Sequence, residues 1–241
     1  MTREKLSLRI GAVCMIAGSV AVFAFRSAHG DLPTDTGEAA LAYVASHPIY
    51  PLVHLGDWLG VLVWAGGLVA LSGSLTYRAA WAIGRLGAAS ALVGAAVHIV
   101  DFSIDGYALP TLADTWAAAS SSHRADLEFG ARLALVIIGG PSTSALVILW
   151  GSTLILYGLA VKMEGYSIWL GWTGVVLGAA IFALGTIQFL EPNIFPGVLF
   201  YGGGTWVSQM WTVALGVAMW RRARAPAHTA ADARHTDRDG S

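Results

Sequence analysis

The sequence predicts an all-α integral membrane protein, a bundle of six transmembrane helices with both termini in the cytoplasm. Of the 241 residues, 56% are hydrophobic and only 12% are charged, against about 25% charged residues in an ordinary soluble domain. The hydrophobic residues form runs of about 20, the helix length that crosses a bilayer core. Lys and Arg concentrate on the side that holds both termini, which sets the orientation. We therefore expect a multi-pass protein of a bacterial inner (plasma) membrane.

The hydrophobic runs define one transmembrane domain, residues 1–222. Its spans are expected at about residues 8–25, 51–71, 79–100, 128–161 or 141–161, 168–190 and 198–220. The first run follows a basic stretch, and its length favours an uncleaved helix over a signal peptide. In the fifth span, Gly174 and Gly178 form a pair of small residues that lets another helix approach closely. Residues 223–241 are polar without an apolar period and are expected to be a disordered cytoplasmic tail.

The fourth hydrophobic stretch is longer than one membrane crossing requires. It runs from Leu127 to Val161, about 50 Å if helical, against a bilayer core of about 30 Å. A break is predicted at Gly139-Gly140-Pro141, because proline removes a backbone donor and glycine permits unusual dihedral angles. The stretch is then either a broken helix that lines a cavity or a surface helix followed by a span from Pro141.

The connection after the third span is expected to lie over the outer face of the bundle. Residues 105–110 carry a glycine and a proline and predict a turn. Residues 111–120 predict a short amphipathic helix. That helix would lie above the outer ends of the spans as a lid.

Ionisable residues within membrane spans are costly and therefore informative. Here they concentrate in the predicted outer half and include three His-x-x-Asp pairs, His54/Asp57, His98/Asp101 and His123/Asp126. Residues three apart share one face of a helix, so each pair is expected to direct both side chains to one place. Carboxylates of the same half are Asp105, Glu128 and Glu191.

The first two pairs predict a metal site. His54 and His98 fall at similar depths in a helical hairpin, so with Asp57 and Asp101 they would form one cluster of imidazoles and carboxylates. Such a ligand set suits zinc, iron or manganese. The expected function is an integral-membrane enzyme with its site at the outer interface, acting on a small lipophilic substrate from the bilayer. Catalytic candidates are Asp57, Asp101, Asp105, Glu128 and Glu191, as spare ligands or general acids and bases.

Several alternatives use the same residues. A metal-free isomerase or cyclase would use a carboxylic acid held protonated by its low-dielectric site. A b-type haem protein would use His54 and His98 as axial ligands. A proton-coupled transporter would use the carboxylates, and a non-catalytic sensor would use the histidines, without chemistry on a substrate. In a purely structural interpretation, each His-x-x-Asp pair caps a helix end. His29 and His47 fall in a predicted loop and receive no role.

Charge and cysteine content exclude nucleic-acid binding and cysteine-based sites. The formal net charge is −1, and the short cluster Arg221, Arg222 and Arg224 is the longest basic feature, so nucleic-acid binding is not expected. Cys14 is the single cysteine, which rules out an internal disulfide and a thiolate metal site.

Overall fold

The computed structural model describes residues 3–192 and 197–224, a part of the chain that contains helices and turns and no strand. Two π-helical segments, Ile104–Ala108 and Leu146–Ser152, lie among its α-helices. The α-helices are α1 Arg3–His29, α2 Gly37–Ala45, α3 Tyr50–Ser74, α4 Arg78–Ser103, α5 Leu109–Ala118, α6 Ser121–Ala145, α7 Thr153–Met163, α8 Ile168–Leu190 and α9 Gly197–Arg224.

Within residues 3–192 and 197–224, five helical segments are long and apolar enough to cross a membrane. They are Lys5–His29, Tyr50–Ser74, Arg78–Ala118, Ser121–Met163 and Ile168–Leu190. This agrees with the predicted all-α membrane bundle. The helix α9 also has 28 residues, but it carries a row of buried polar side chains, Thr205, Ser208, Gln209 and Thr212. The sixth span stays a prediction, as does the cytoplasmic placement of the termini.

The long helices run back and forth between two ends of the bundle. The "site end" is where α1 ends and α3 begins, and the "latch end" is where α7 ends at Met163. Hydroxyls of Ser19 and Thr212, 2.7 Å apart, join α1 to α9. The helices α7 and α8 touch at Gly178, where any side chain would meet the backbone nitrogen of Ile155. This contact agrees with the close approach predicted for Gly178.

Burial separates the inside of the bundle from a surface suited to lipid. Trp64, Leu68, Leu149 and Leu215 are fully buried in a core that several long helices share. Large apolar residues on the outside are exposed, among them Val136, which is the arrangement that a hydrocarbon solvent permits. At the site end a second, smaller core joins α2, α5 and α6 with the start of α3. Its buried residues are Leu41, Val44, Tyr50, Leu109, Ala113, Ala131 and Ala134. The helices α2 and α5 therefore cap this end of the bundle.

The predicted break at Gly139-Gly140-Pro141 is wrong, because α6 continues through it with Pro141 inside the helix. The hydroxyl of Thr143 donates to the carbonyls of Gly139 and Gly140, at 2.8 and 3.0 Å. Pro141 itself removes only the backbone hydrogen bond to the carbonyl of Ile137, four residues earlier. The irregularity lies further along, in the π-helical segment Leu146–Ser152.

The predicted turn over residues 105–110 is also wrong. The π-helical segment Ile104–Ala108 joins α4 directly to α5, and Pro110 occupies the first turn of α5, where a missing N–H costs little. The short helix predicted over residues 111–120 is present as α5. Of the predicted tail, Ala223 and Arg224 end α9, and residues 225–241 lie outside the described residues.

Glu164, which follows α7, joins the α3–α4 connection and the end of α9 at the latch end. Its carboxylate accepts the backbone N–H groups of Thr76 and Tyr77, both at 2.9 Å, and the Thr76 hydroxyl at 2.6 Å. Arg222 on α9 donates to the same carboxylate at 3.2 Å. Burial raises the pKa of Glu164, but these hydrogen bonds and the Arg222 charge outweigh it, so the pKa lies below its ordinary value.

We expect Glu164→Gln to lower the free energy of unfolding near pH 7 by about 1–3 kcal/mol. Both carboxylate oxygens of Glu164 accept hydrogen bonds. The NH₂ group of the glutamine amide would instead face the backbone N–H groups of Thr76 and Tyr77, which are also donors. The pKa of Glu164 is lower in the folded protein than its ordinary value, which the unfolded chain has. The carboxylate therefore stabilises the folded protein at pH values above the unfolded-state pKa. This stabilisation is lost as the pH falls through the folded-state pKa. Thermal unfolding in detergent should therefore show a gap between wild type and Glu164→Gln that narrows on acidification. The exposed Glu38→Gln serves as the control, and an equal gap for it would contradict this role.

Candidate metal centre

Three helical elements meet at the site end and bring two histidines and one aspartate together. His29 is the last residue of α1, His54 lies in the second turn of α3, and Asp105 lies in the first π-helical segment. Their potential ligand atoms all lie within 4.8 Å of one another. The backbone fits closely here, because any side chain at Gly106 would meet the β-carbon of His54.

Surrounding groups fix which imidazole nitrogen points at the aspartate. The Nδ1–H of His54 donates to the carbonyl of Tyr50 at 2.8 Å, and the Nδ1–H of His29 donates to the carbonyl of Gly30 at 3.0 Å. The proton of each neutral imidazole is therefore on Nδ1, which leaves a lone pair on Nε2. Metal-binding histidines typically have their other nitrogen held in this way.

Both Nε2 atoms face the same carboxylate oxygen. The Oδ2 of Asp105 is 3.0 Å from Nε2 of His54 and 3.5 Å from Nε2 of His29. Neither Nε2 has a hydrogen-bond partner among the described residues. The other oxygen, Oδ1, accepts the hydroxyl of Tyr50 at 2.7 Å. Three electron-rich atoms thus converge on one point, where either a proton or a metal cation would relieve their repulsion.

The two separations from Asp105 Oδ2 are close to those between ligands of one metal. Ligand atoms at about 2.1 Å from a tetrahedral zinc lie about 3.4 Å from one another. Two imidazoles and one carboxylate supply three ligands, and three protein ligands with one open position are typical of catalytic zinc. The side chain of His54 is 2% exposed, whereas those of His29 and Asp105 are 13% and 11% exposed. A fourth ligand would therefore reach the metal from the His29 side.

A second buried layer lies beside this cluster. His98 Nε2 is 2.6 Å from Oδ2 of Asp57, and both side chains are almost fully buried. Asp101 accepts the hydroxyl of Ser142 with both oxygens at 2.7 Å. The ring of Phe102 contacts the imidazoles of both layers, with centroids 5.0 Å from His54 and 4.2 Å from His98.

The close contacts of the two buried His-x-x-Asp motifs are not made within each motif. His54 pairs with Asp105 and His98 with Asp57, so both contacts connect different helical elements. The one close pair within a helix is His123 with Asp126 at 3.7 Å, and both side chains are mostly exposed. Residues three apart do share a face, but a neighbouring helix packed on that face supplies a partner at closer range.

The predicted site residues therefore divide into separate places. His54 and Asp105 belong to the metal cluster, and Asp57, His98 and Asp101 to the second layer. Glu128 accepts the indole N–H of Trp116 at 3.0 Å, beneath the cap. Glu191 is exposed beyond the end of α8. The predicted ligand set of His54, Asp57, His98 and Asp101 is thus not gathered around one point.

The same placement bears on the haem alternative. Nε2 of His54 faces Asp105 and Nε2 of His98 faces Asp57, so neither nitrogen is directed at a shared gap where a haem iron would lie. Axial ligation by these two histidines would require both contacts to break. This geometry gives the haem alternative no support.

Sequence reasoning missed His29 and Tyr50. It ended the first span at Phe25, although the first helix-breaking residue after that point is Gly30, which has φ of +70° in the structure. A helix continued to Gly30 would have placed His29 in its last turn. The hydroxyl of Tyr43 on α2 donates to the carbonyl of His29 at 2.9 Å and so ties the cap to this turn.

Comparison with family models, curated proteins and solved structures finds no match to this chain. The site's own geometry therefore carries the functional argument.

Proposed function

We propose that this chain is an integral-membrane enzyme that binds one divalent transition metal through His29, His54 and Asp105 and acts on a lipophilic substrate. The observation that carries the proposal is the convergence of two lone-pair nitrogens on Asp105 Oδ2, at 3.0 and 3.5 Å. The ligand set suits zinc, iron or manganese.

The surrounding residues would orient the ligands and leave the reaction to the metal. Tyr50 holds Asp105 through one oxygen and His54 through its carbonyl, which fixes both ligands from a single residue. A bound metal would polarise a carbonyl or phosphoryl oxygen, or lower the pKa of a bound water. Metal binding also requires neutral imidazoles, so metal affinity should be lower at acidic pH.

The location of the site supports the proposal of a lipophilic substrate. His29, His54 and Asp105 all belong to segments that are apolar enough to cross a membrane. The outward face of α3 presents Leu52 and Leu55, which are 58% and 43% exposed. A substrate dissolved in the bilayer would therefore contact apolar side chains of the same helix that carries His54.

Elemental analysis and an absorption spectrum of the detergent-purified protein test the proposal. We expect about one transition metal per chain and no Soret band. His54→Ala should lower the bound metal more than about tenfold at a fixed metal concentration, because it removes the most buried ligand. His123→Ala, which removes an exposed histidine from a similar sequence pattern, should bind metal as wild type does. A Soret band, or equal metal content in His54→Ala, would overturn the proposal.

A further inference from the structure

A cavity of about 320 Å³ lies at the site end, where the start of α2 meets α6. Gly37 and Glu38 of α2 line it together with Glu128, Phe129 and Arg132 of α6. The two helices fit closely beside it, because any side chain at Gly37 would meet the backbone carbonyl of Glu128. None of these residues is a ligand of the candidate metal centre, so the cavity is a separate place on the molecule.

Charges of both signs line this cavity without pairing to each other. Arg132 is exposed, and its guanidinium has no ion pair or hydrogen bond with another residue of the described part of the chain. Glu38 on α2 is also exposed. Within the same part of the chain, Glu128 accepts one hydrogen bond, from the indole N–H of Trp116 to Oε1. The cavity therefore offers N–H donors for an anion and carboxylate oxygens for a cation.

A stripe of exposed apolar side chains runs along α6 from the same cavity. Phe129, Leu133 and Val136 form this apolar stripe and are 69%, 50% and 76% exposed. Residues three or four apart share one face of a helix, so Arg132 lies on the face of the stripe. The stripe belongs to Ser121–Met163, a segment apolar enough to cross a membrane. A ligand with charged groups in the cavity would therefore place an apolar part along α6.

We propose that the cavity binds the headgroup of phosphatidylethanolamine, a lipid that carries all of the complementary groups. The guanidinium of Arg132 would donate to the phosphate. The ammonium group would donate to the carboxylates of Glu38 and Glu128. The acyl chains would lie along the apolar stripe of α6. The inference goes beyond the proposed function, because it needs neither the metal nor its ligands.

The charges of the cavity select this headgroup over those of other phospholipids. The nitrogen of phosphatidylcholine is trimethylated and has no N–H group to donate to a carboxylate. Phosphatidylglycerol has a phosphate and no cation, so Glu38 and Glu128 would repel it. A hydrogen bond between charged groups is the strong kind. The ammonium of phosphatidylethanolamine should therefore decide the preference.

Titration of the detergent-purified protein with lipids in mixed micelles tests the inference, with bound lipid counted by native mass spectrometry. With equal acyl chains, we expect phosphatidylethanolamine to bind at least about tenfold more tightly than phosphatidylcholine or phosphatidylglycerol. Phosphoethanolamine, which has no acyl chains, should bind more weakly than the lipid. Equal affinity for the three lipids would overturn headgroup recognition. Phosphoethanolamine that binds as tightly as the lipid would overturn the lipid as the ligand.

Variants test the residues that line the cavity. Arg132→Gln should weaken phosphatidylethanolamine binding at least about tenfold, and Arg132→Lys should recover part of the loss. Glu128→Gln keeps an oxygen for the Trp116 indole and should reduce the preference for phosphatidylethanolamine over phosphatidylcholine. The matched control is Arg124→Gln, because Arg124 is also exposed on α6, about two turns earlier and outside the cavity lining.

Unchanged affinity in Arg132→Gln, or an equal loss in Arg124→Gln, would overturn the inference. Metal content should be that of the wild type in all of these variants. A protein that binds no metal but keeps the lipid preference would contradict the proposed function alone, so the two failures are distinguishable.

Discussion

His29→Gln is expected to lose the bound metal, whereas His98→Gln is expected to keep it. Nε2 of His29 faces Asp105 Oδ2 without a hydrogen bond, so its loss removes one of three ligands. Loss of a group that merely orients a ligand typically costs 10–100-fold in affinity, and we expect His29→Gln to cost at least about 100-fold. In His98→Gln the amide still donates to Asp57, so the second layer stays paired.

Metal affinity of the two variants is measured by competition with a chelator of known affinity. The pair is matched, since each variant replaces one histidine of the site end with the same amide. Loss of metal from His98→Gln and its retention by His29→Gln would favour the ligand set of His54, Asp57, His98 and Asp101 that the sequence predicts. That result would contradict the centre built on Asp105.

His98→Leu is expected to lower the free energy of unfolding by about 3–5 kcal/mol, because it leaves the Asp57 carboxylate buried without its partner. Oδ2 of Asp57 is 2.6 Å from His98, and Oδ1 has no hydrogen-bond partner among the described residues. The double variant Asp57→Ala/His98→Leu should recover most of the loss, since it removes both polar groups. Unfolding of detergent-solubilised protein by a denaturing detergent measures the difference.

The exposed pair of His123 and Asp126 provides the control. Its atoms are 3.7 Å apart and its side chains are 58% and 82% exposed, so its removal should change stability by less than about 1 kcal/mol. A double variant no more stable than His98→Leu would show that the Asp57 charge is not the cause. The pair of His98 and Asp57 would then stabilise the bundle in another way.

The positions of the ionisable residues were predictable, but their partners were not. The sequence places His54, Asp57, His98, Asp101 and Asp105 near the same ends of neighbouring helices, and the structure brings all five to the site end. Which histidine meets which carboxylate depends on the rotation of each helix about its axis. That rotation is set by packing contacts, such as Gly106 against the β-carbon of His54.

The position of each irregularity in the helices also depends on tertiary contacts. Pro141 predicts a break because it lacks an N–H group, yet the helix continues through it with a single backbone hydrogen bond missing. In the π-helical segment further along, the carbonyl of Ile148 accepts the backbone N–H of Thr153 and also the hydroxyl of Ser90 from α4, at 3.0 Å. A partner from another helix cannot be read from the local sequence.

By itself, the sequence determined the all-α class, the apolar helices that can cross a membrane, and the concentration of ionisable residues near one end. These properties follow from composition and from runs of hydrophobic residues, which act locally. Only the tertiary structure decided that His29 and Tyr50 join His54 and Asp105. Those four residues come from three separate helical elements, and their meeting depends on where α1 ends and on how the first π-helical segment packs against α3.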